Sequence, residues 1–197
     1  LRMSGEHKLK AEDFITQHIE TTNDIDLLLF TNRQQVYKCR AAAFEDTKTS
    51  VMGEYVPAKL GMDDGEEVVK MVHTKDYKGF VLFCFDNGKV AKVPLSAYET
   101  KQNRKKLINA YSDKANLVEI IYCTENADIA FISSVNRALV VNTSQISEKT
   151  TKNSAGIQVQ TLKKNQTVKT VKFAGDAQFA NVSKYKTKNI PAAGSFL

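Results

Sequence analysis

The chemistry open to this chain is that of its lysines and arginines, which recur in two kinds of place. Lys48, Lys101, Arg104, Lys105, Lys106, Lys149 and Lys152 fall in or beside three polar connectors, Glu45 to Ser50, Tyr98 to Lys106 and Ser147 to Asn153. Arg33, Lys38, Arg40, Lys89, Lys92 and Arg137 flank short turns that contain an asparagine. Ammonium and guanidinium groups repeated in this way can take the place of counterions on a polyanion. A nucleic acid or an anionic membrane surface is the partner they suit, against the plainer reading of a solvated lysine-rich face.

Other chemistries lack their residues. His7, His18 and His73 stand alone and widely spaced, as surface or satisfied strand histidines do. Cys39, Cys84 and Cys123 are odd in number, sit among apolar neighbours and form no Cys-x-x-Cys pair, which predicts reduced, buried thiols. The acidic run Asp63-Asp64-Gly65-Glu66-Glu67 lacks the alternating ligand spacing of a calcium loop and reads as a turn between repeats. No glycine-rich phosphate cradle and no nucleophile motif occurs. Catalysis, a metal and a cofactor are therefore not expected within this domain.

The elements that must position the cations are strands. With 42% hydrophobic and 25% charged residues and only three prolines, the 197-residue chain has the profile of one globular domain. Its net charge of +6 is uneven: residues 1–100 carry 13 Lys and Arg against 16 Asp and Glu, and residues 101–197 carry 15 against 6. The longest apolar run, Phe80 to Phe85, is far short of the roughly 20 residues that a spanning helix needs. The opening Leu1-Arg2-Met3-Ser4-Gly5-Glu6 has no apolar signal stretch and reads as a cut within a longer, cytosolic protein.

One pattern is written three times: an apolar strand, a short turn with an asparagine, and a second strand. It runs Leu27 to Lys38, Val81 to Lys92 and Ile129 to Val140, with turn asparagines Asn32, Asn87 and Asn136 spaced 55 and 49 apart. A further β-branched strand precedes each copy, at Phe14 to Thr21, Val68 to His73 and Leu117 to Cys123, and Thr167 to Phe173 opens a repeat that is not completed. The repeats span about 12–64, 65–114, 115–163 and, in part, 164–197. Thr49, Asn103 and Asn153 lie 17, 16 and 17 residues after their asparagines, so the basic connectors hold equivalent places and Lys48, Arg104 and Lys152 should share a rim. A repeat of this length with about four strands predicts an all-β, propeller-like architecture, with helix confined to one turn near Leu95 to Tyr98.

Several stretches, taken together, identify a family that the chain resembles. They are Glu12-Asp13-Phe14 leading to Leu27 to Asn32 and Val36-Tyr37-Lys38, then Asp86 to Leu95, Tyr98 to Lys106, and Lys186 to Gly194. The sequence resembles the C-terminal domain of the A subunit of the bacterial type II topoisomerases, DNA gyrase and topoisomerase IV. The resemblance implies a β-pinwheel of about four blades, each of roughly four antiparallel strands, with a strand exchanged between neighbouring blades and a basic perimeter that binds duplex DNA. The Gln- and Arg/Gly-rich box of the gyrase branch is not spelled by Leu1 to Gly5. The family's catalytic tyrosine, metal carboxylates and ATP site lie outside the region of resemblance.

The resemblance thus implies a non-catalytic accessory domain of an ATP-hydrolysing, cytoplasmic, nucleoid-associated topoisomerase. Its implied partners are double-stranded DNA, the remainder of the A subunit, and the ATPase B subunit. Residues 1–197 form one domain in this reading, and it needs no cofactor of its own. A domain that bends DNA of any sequence contacts phosphates through Lys and Arg and leaves base edges unread. The thirteen cations named above are the expected contacts. The competing reading is a propeller that binds protein, which predicts an exposed apolar patch and little salt dependence.

Overall fold

Runs of β-branched, leucine and phenylalanine residues closed by turn formers make each of the three overlaid segments a hairpin. A computed structural model describes residues 11–48, 50–100 and 105–197. The hairpins pair β1 (Asp26–Thr31) with β2 (Val36–Arg40), β4 (Phe80–Phe85) with β5 (Lys89–Pro94), and β8 (Asp128–Ser133) with β9 (Arg137–Asn142). Leu27, Val81 and Ile129 hold the same register in them, facing Cys39, Val93 and Val141.

A hairpin alone leaves both outer edges unpaired, and each is completed by strands from the following repeat. The first is flanked by β3 (Val68–Thr74) and β6 (Lys106–Leu107), the second by β7 (Leu117–Cys123) and β10 (Ile157–Gln158), and the third by β11 (Val168–Phe173) and β12 (Ser195–Phe196). Among the described residues the result is three four-stranded antiparallel sheets, ordered β3-β1-β2-β6, β10-β5-β4-β7 and β11-β8-β9-β12. The fourth repeat supplies the last two flanking strands to the third sheet rather than a sheet of its own. Where its hairpin would stand there are two 3-10 turns, Ala174–Ala177 and Val182–Lys184.

By packing density the chain divides into one unit of Leu1–Asp76 with Gln102–Ile108, which holds the first sheet, and a second of Tyr77–Lys101 with Asn109–Leu197, which holds the other two. In the first unit Leu27, Leu29 and Tyr37 pack on Phe44, Val56, Leu60 and Met62 over one face, while Leu28, Phe30 and Val36 are buried on the other. Burial on both faces is why these strands read as continuous apolar runs rather than as alternating ones. In the second unit Leu82, Cys84, Phe131, Leu139 and Val171 belong to one buried cluster. The cysteines are free, as expected, and burial pushes the Cys39 and Cys123 thiols up to about 11 and Cys84 higher still. Cys39 is only half-buried.

Three expectations are corrected. Phe14 to Thr21 is not a strand: a flanking strand pairs with the hairpin before it, and among the described residues none precedes this one. The segment instead meets the edge of β3 through one side chain, Gln17, whose Nε2 donates to the Met71 carbonyl at 2.6 Å and whose Oε1 accepts from the Met71 N–H at 3.0 Å. Helix is not confined to Leu95–Tyr98, where the expected turn does form, as a 3-10 helix. A short α-helix, α1 (Val56–Leu60), starts with Pro57 in its first turn and stops at Gly61 in the left-handed region. The turn asparagines are not equivalent either. The left-handed residue of each turn is Gln34, Gly88 or Asn136, which restores the spacing of 54 and 48 shown by the strands.

Gly88 is held by more than its φ of +80°. The Val159 and Gln160 N–H groups both donate to its carbonyl, and a Cβ there would stand 2.3 Å from the Gln160 carbonyl oxygen.

At the turn end of the first sheet, Glu66 is 3% exposed and accepts from Thr31 Oγ1, from Tyr37 Oη at 2.8 Å and from the Asp63 N–H at 2.9 Å. Burial alone would raise its carboxyl, but these donors outweigh burial and hold it below its usual value.

Two outcomes are expected. Gly88→Ala lowers the unfolding free energy by about 2–4 kcal/mol in denaturant titration, through left-handed strain and the clash at Gln160; a loss within measurement error would show that the approach is not required. Because the Glu66 carboxyl sits lower when folded than when unfolded, its contribution is complete above the ordinary carboxylate value, about 4.3, and is lost as the pH falls through the lowered one. Glu66→Gln should cost about 1–3 kcal/mol near neutrality and flatten the acid limb of the stability profile; an unchanged limb would assign that limb to other carboxylates.

Candidate nucleic-acid interface

In each hairpin one register position of the second strand receives a later segment of the chain. Lys38, Lys92 and Val140 face Leu28, Leu82 and Ala130 in the three hairpins. The Lys38 N–H donates to the Lys105 carbonyl at 2.8 Å, and the Lys149 N–H donates to the Lys92 carbonyl at 2.7 Å. Val140 donates to the Tyr185 carbonyl at 2.8 Å and accepts from the Thr187 N–H at 3.1 Å. Lys105, Lys149 and Lys186 thus each lie beside a sheet without being equivalent. Lys105 precedes the antiparallel pairing of β6, whose counterparts in the other sheets are β10 and β12, whereas Glu148 and Lys186 form parallel bridges to Lys92 and Val140, so Lys186 corresponds to Glu148.

In the first unit this brings several of the expected cations together. Asp26 Oδ2 lies 3.4 Å from Lys38 Nζ and Oδ1 lies 3.0 Å from Arg40 Nε, with Lys105 on the next strand. Arg40 also reaches the Asp24 carbonyl at 3.2 Å, yet two-thirds of its side chain stays in solvent, and Lys105 is exposed. One carboxylate among three cations leaves a positive surplus. Lys48 is exposed as well.

Two others have prior engagements. Lys106 Nζ lies 3.0 Å from Asp63 Oδ2 and 5.4 Å from the Tyr37 ring centre; its hydrogen bonds to Tyr37 and Asp63 raise its pKa, while those from Lys106 and Gln35 lower that of Asp63. Arg33 Nη2 donates to the Asp64 carbonyl.

In the second unit Lys89, Lys149 and Lys152 are half-buried. Arg137 Nη1 donates to the Gly194 carbonyl at 2.8 Å, with the guanidinium 4.0 Å over the Phe196 ring, a geometry that fixes the head without neutralising it. Lys92 leaves the set of accessible cations. It is 7% exposed, donates to the Thr143 carbonyl at 3.0 Å and lies 4.2 Å over the Phe80 ring, because strand alternation turns it inward. Lys101 and Arg104 lie outside the described residues.

Lys186 was not among the residues read from the sequence. It is exposed and pairs with Asp128 at 2.7 Å, holding Asp128 below the usual carboxylate range, so it repeats beside the third hairpin what Lys38 does with Asp26 beside the first. The echo of Tyr98 in Tyr185 was the available signal. No described helix is long and apolar enough to cross a membrane.

No family model matches the chain. It is 25% identical to the A subunit of DNA topoisomerase 4 from Staphylococcus epidermidis over 158 residues, 79% of this chain and 20% of the relative, and 24% identical over the same length to that of Staphylococcus aureus. The chain spans about a fifth of the length of these curated relatives. Among solved structures, the C-terminal domain of DNA topoisomerase IV superposes with a TM-score of 0.72 at 22% identity, covering 85% of this chain and 52% of that one. The C-terminal domain of DNA gyrase A superposes at 0.62 and 15% identity, covering 89% and 60%. The chain is homologous to the A subunit of topoisomerase IV, and its fold is that of the C-terminal domains of topoisomerase IV and gyrase A.

Proposed function

We propose that this chain is the duplex-binding accessory domain of a type II topoisomerase A subunit, its three sheets acting as blades of a β-pinwheel whose basic perimeter takes up and bends DNA of any sequence. The observation that carries the reading is that main-chain pairing sets a lysine beside each hairpin, Lys105, Lys149 and Lys186, joined in the first unit by Arg40 and Lys48. Smoothly bending 20–30 base pairs costs on the order of 1–6 kcal/mol, so several phosphate contacts must share the work, and a repeated cation is the economical way to place them. Strand cleavage and ATP hydrolysis belong to other parts of the assembly, the remainder of the A subunit, and the ATPase B subunit. The domain needs no cofactor, and the enzyme works in the cytoplasm on the nucleoid.

A second reading rests on a groove of about 730 Å³ in the first unit, lined by Ile15, Ile19, Phe44, Met71 and the acids Glu20, Glu45 and Asp46. Its apolar and acidic lining suits a basic protein segment rather than DNA.

Duplex affinity measured against salt separates the two. Binding should fall steeply with salt, be similar for unrelated sequences, and lose roughly 0.9 of slope for each phosphate contact removed in Arg40→Ala/Lys105→Ala. Lys92→Met, which alters an inward-facing cation, should leave the slope alone. Salt-insensitive binding, or none, would discard the DNA reading for the protein-binding one.

A further inference from the structure

Ahead of β3, β7 and β11 stands a turn that docks on the tip of the preceding hairpin, and the first and third such turns share one scaffold. The Asn32 N–H donates to the Glu67 carbonyl at 3.0 Å, the Asp86 N–H to Asn116 at 2.9 Å and the Ser134 N–H to Thr167 at 2.7 Å, so residues 63–67, 112–116 and 163–167 correspond. The Glu66 and Gln166 N–H groups donate to the Asp63 and Lys163 carbonyls, each at 3.0 Å. In return the Glu66 and Gln166 side chains accept from the Asp63 and Lys163 N–H groups at 2.9 and 3.0 Å. Gly65 and Asn165 are both left-handed, with φ of +70° and +66°. The Glu67 N–H is taken by the Asn32 side chain, and the Thr167 N–H by that of Ser134.

On this common backbone the charge is reversed. The first turn reads Asp63-Asp64-Gly65-Glu66-Glu67, the second Ser112-Asp113-Lys114-Ala115-Asn116 and the third Lys163-Lys164-Asn165-Gln166-Thr167. The four carboxylates of the first give way to one acid with one lysine, and then to two lysines with no acid. The first turn also holds its own cations, Lys106 on the Asp63 carboxylate and Arg33 on the Asp64 carbonyl, and the neutral Gln35 amide donates to Asp63 at 3.3 Å. In the third hairpin the place of Gln35 is taken by Arg137, since Val36 and Ala138 hold the same register. Lys163 and Lys164 are exposed, and neither forms an ion pair with a described residue.

We propose that Lys163 and Lys164, on a turn beside Arg137, form a phosphate-binding turn for duplex DNA, and that the equivalent turn of the first sheet is masked against DNA by Asp63, which occupies Lys106. The inference rests on the duplex-binding reading and adds direction to it, because equivalent hairpin tips then attract and repel the same polyanion. A phosphate at the third turn gains two mobile ammonium groups on a rigid backbone. One approaching the first turn must displace a carboxylate already paired at 3.0 Å and meet the two exposed carboxylates of Asp64 and Glu67.

The test titrates the 197-residue chain with a mixed-sequence duplex over a range of salt, as wild type, K163Q/K164Q and D63N. The backbone hydrogen bonds of both turns survive these changes, and thermal unfolding of each variant checks it. K163Q/K164Q should bind more weakly, with the slope shallower by roughly 0.9 for each phosphate no longer engaged, and D63N should bind more tightly, with the slope steeper by about the same step as Lys106 is released. D64N removes a neighbouring charge without touching the Lys106 pair; it serves if D63N unfolds, and should strengthen binding by less. Wild-type binding that K163Q/K164Q leaves unchanged, or that D63N or its stand-in D64N fails to strengthen, overturns the inference while the duplex-binding reading stands. Absence of wild-type binding removes both.

Discussion

Everything in this fold depends on main-chain edges that no hairpin can satisfy by itself. Each of the three hairpins has two unpaired outer edges, and in every case both are filled by strands of the next repeat. A two-stranded hairpin is marginal in water, whereas four strands with an apolar face are not. The pairing therefore fixes the core and places the functional surface with the same set of hydrogen bonds. The bonds that finish a sheet at Lys38, Lys92 and Val140 also set a connector lysine beside it.

Side-chain chemistry at those shared positions is free to diverge because the backbone does the positioning. Lys38 answers the carboxylate of Asp26, Lys92 lies on the ring of Phe80, and Val140 is simply buried. Asp26 and Phe80 hold the same position on the first strands of their hairpins, facing Arg40 and Pro94, and the sheets close in the same way with an ion pair, a cation over a ring or an aliphatic contact. Glu66 shows the other side of this freedom. A carboxylate buried to 3% exposure is tolerated since two hydroxyls and one backbone N–H leave it no unmet acceptor of consequence.

What the sequence disclosed was what is local. The hairpins were legible from apolar runs and their turns, and β7 begins and ends at Leu117 and Cys123 as expected from its β-branched composition. What depends on distant partners was hidden. Nothing near Lys92 says that Phe80 and the Thr143 carbonyl wait on its inner side, and nothing in an acidic run says which of its carboxylates is the buried one. Phe14 to Thr21 has the composition of a flanking strand, but a strand exists only where an edge receives it. The helix at Val56–Leu60 had its signals in Pro57 and Gly61, beyond the connector that ends at Ser50.

The borrowed edges have a consequence for continuity. The first sheet draws its strands from Asp26 to Leu107, the second from Phe80 to Gln158 and the third from Asp128 to Phe196, so the spans overlap like the links of a bracelet. Any peptide bond between residues 26 and 196 lies inside at least one span, and a break there leaves the severed pieces clasped by a β-ladder. The sequence period marks where a motif is copied; it does not mark a seam along which the chain could come apart.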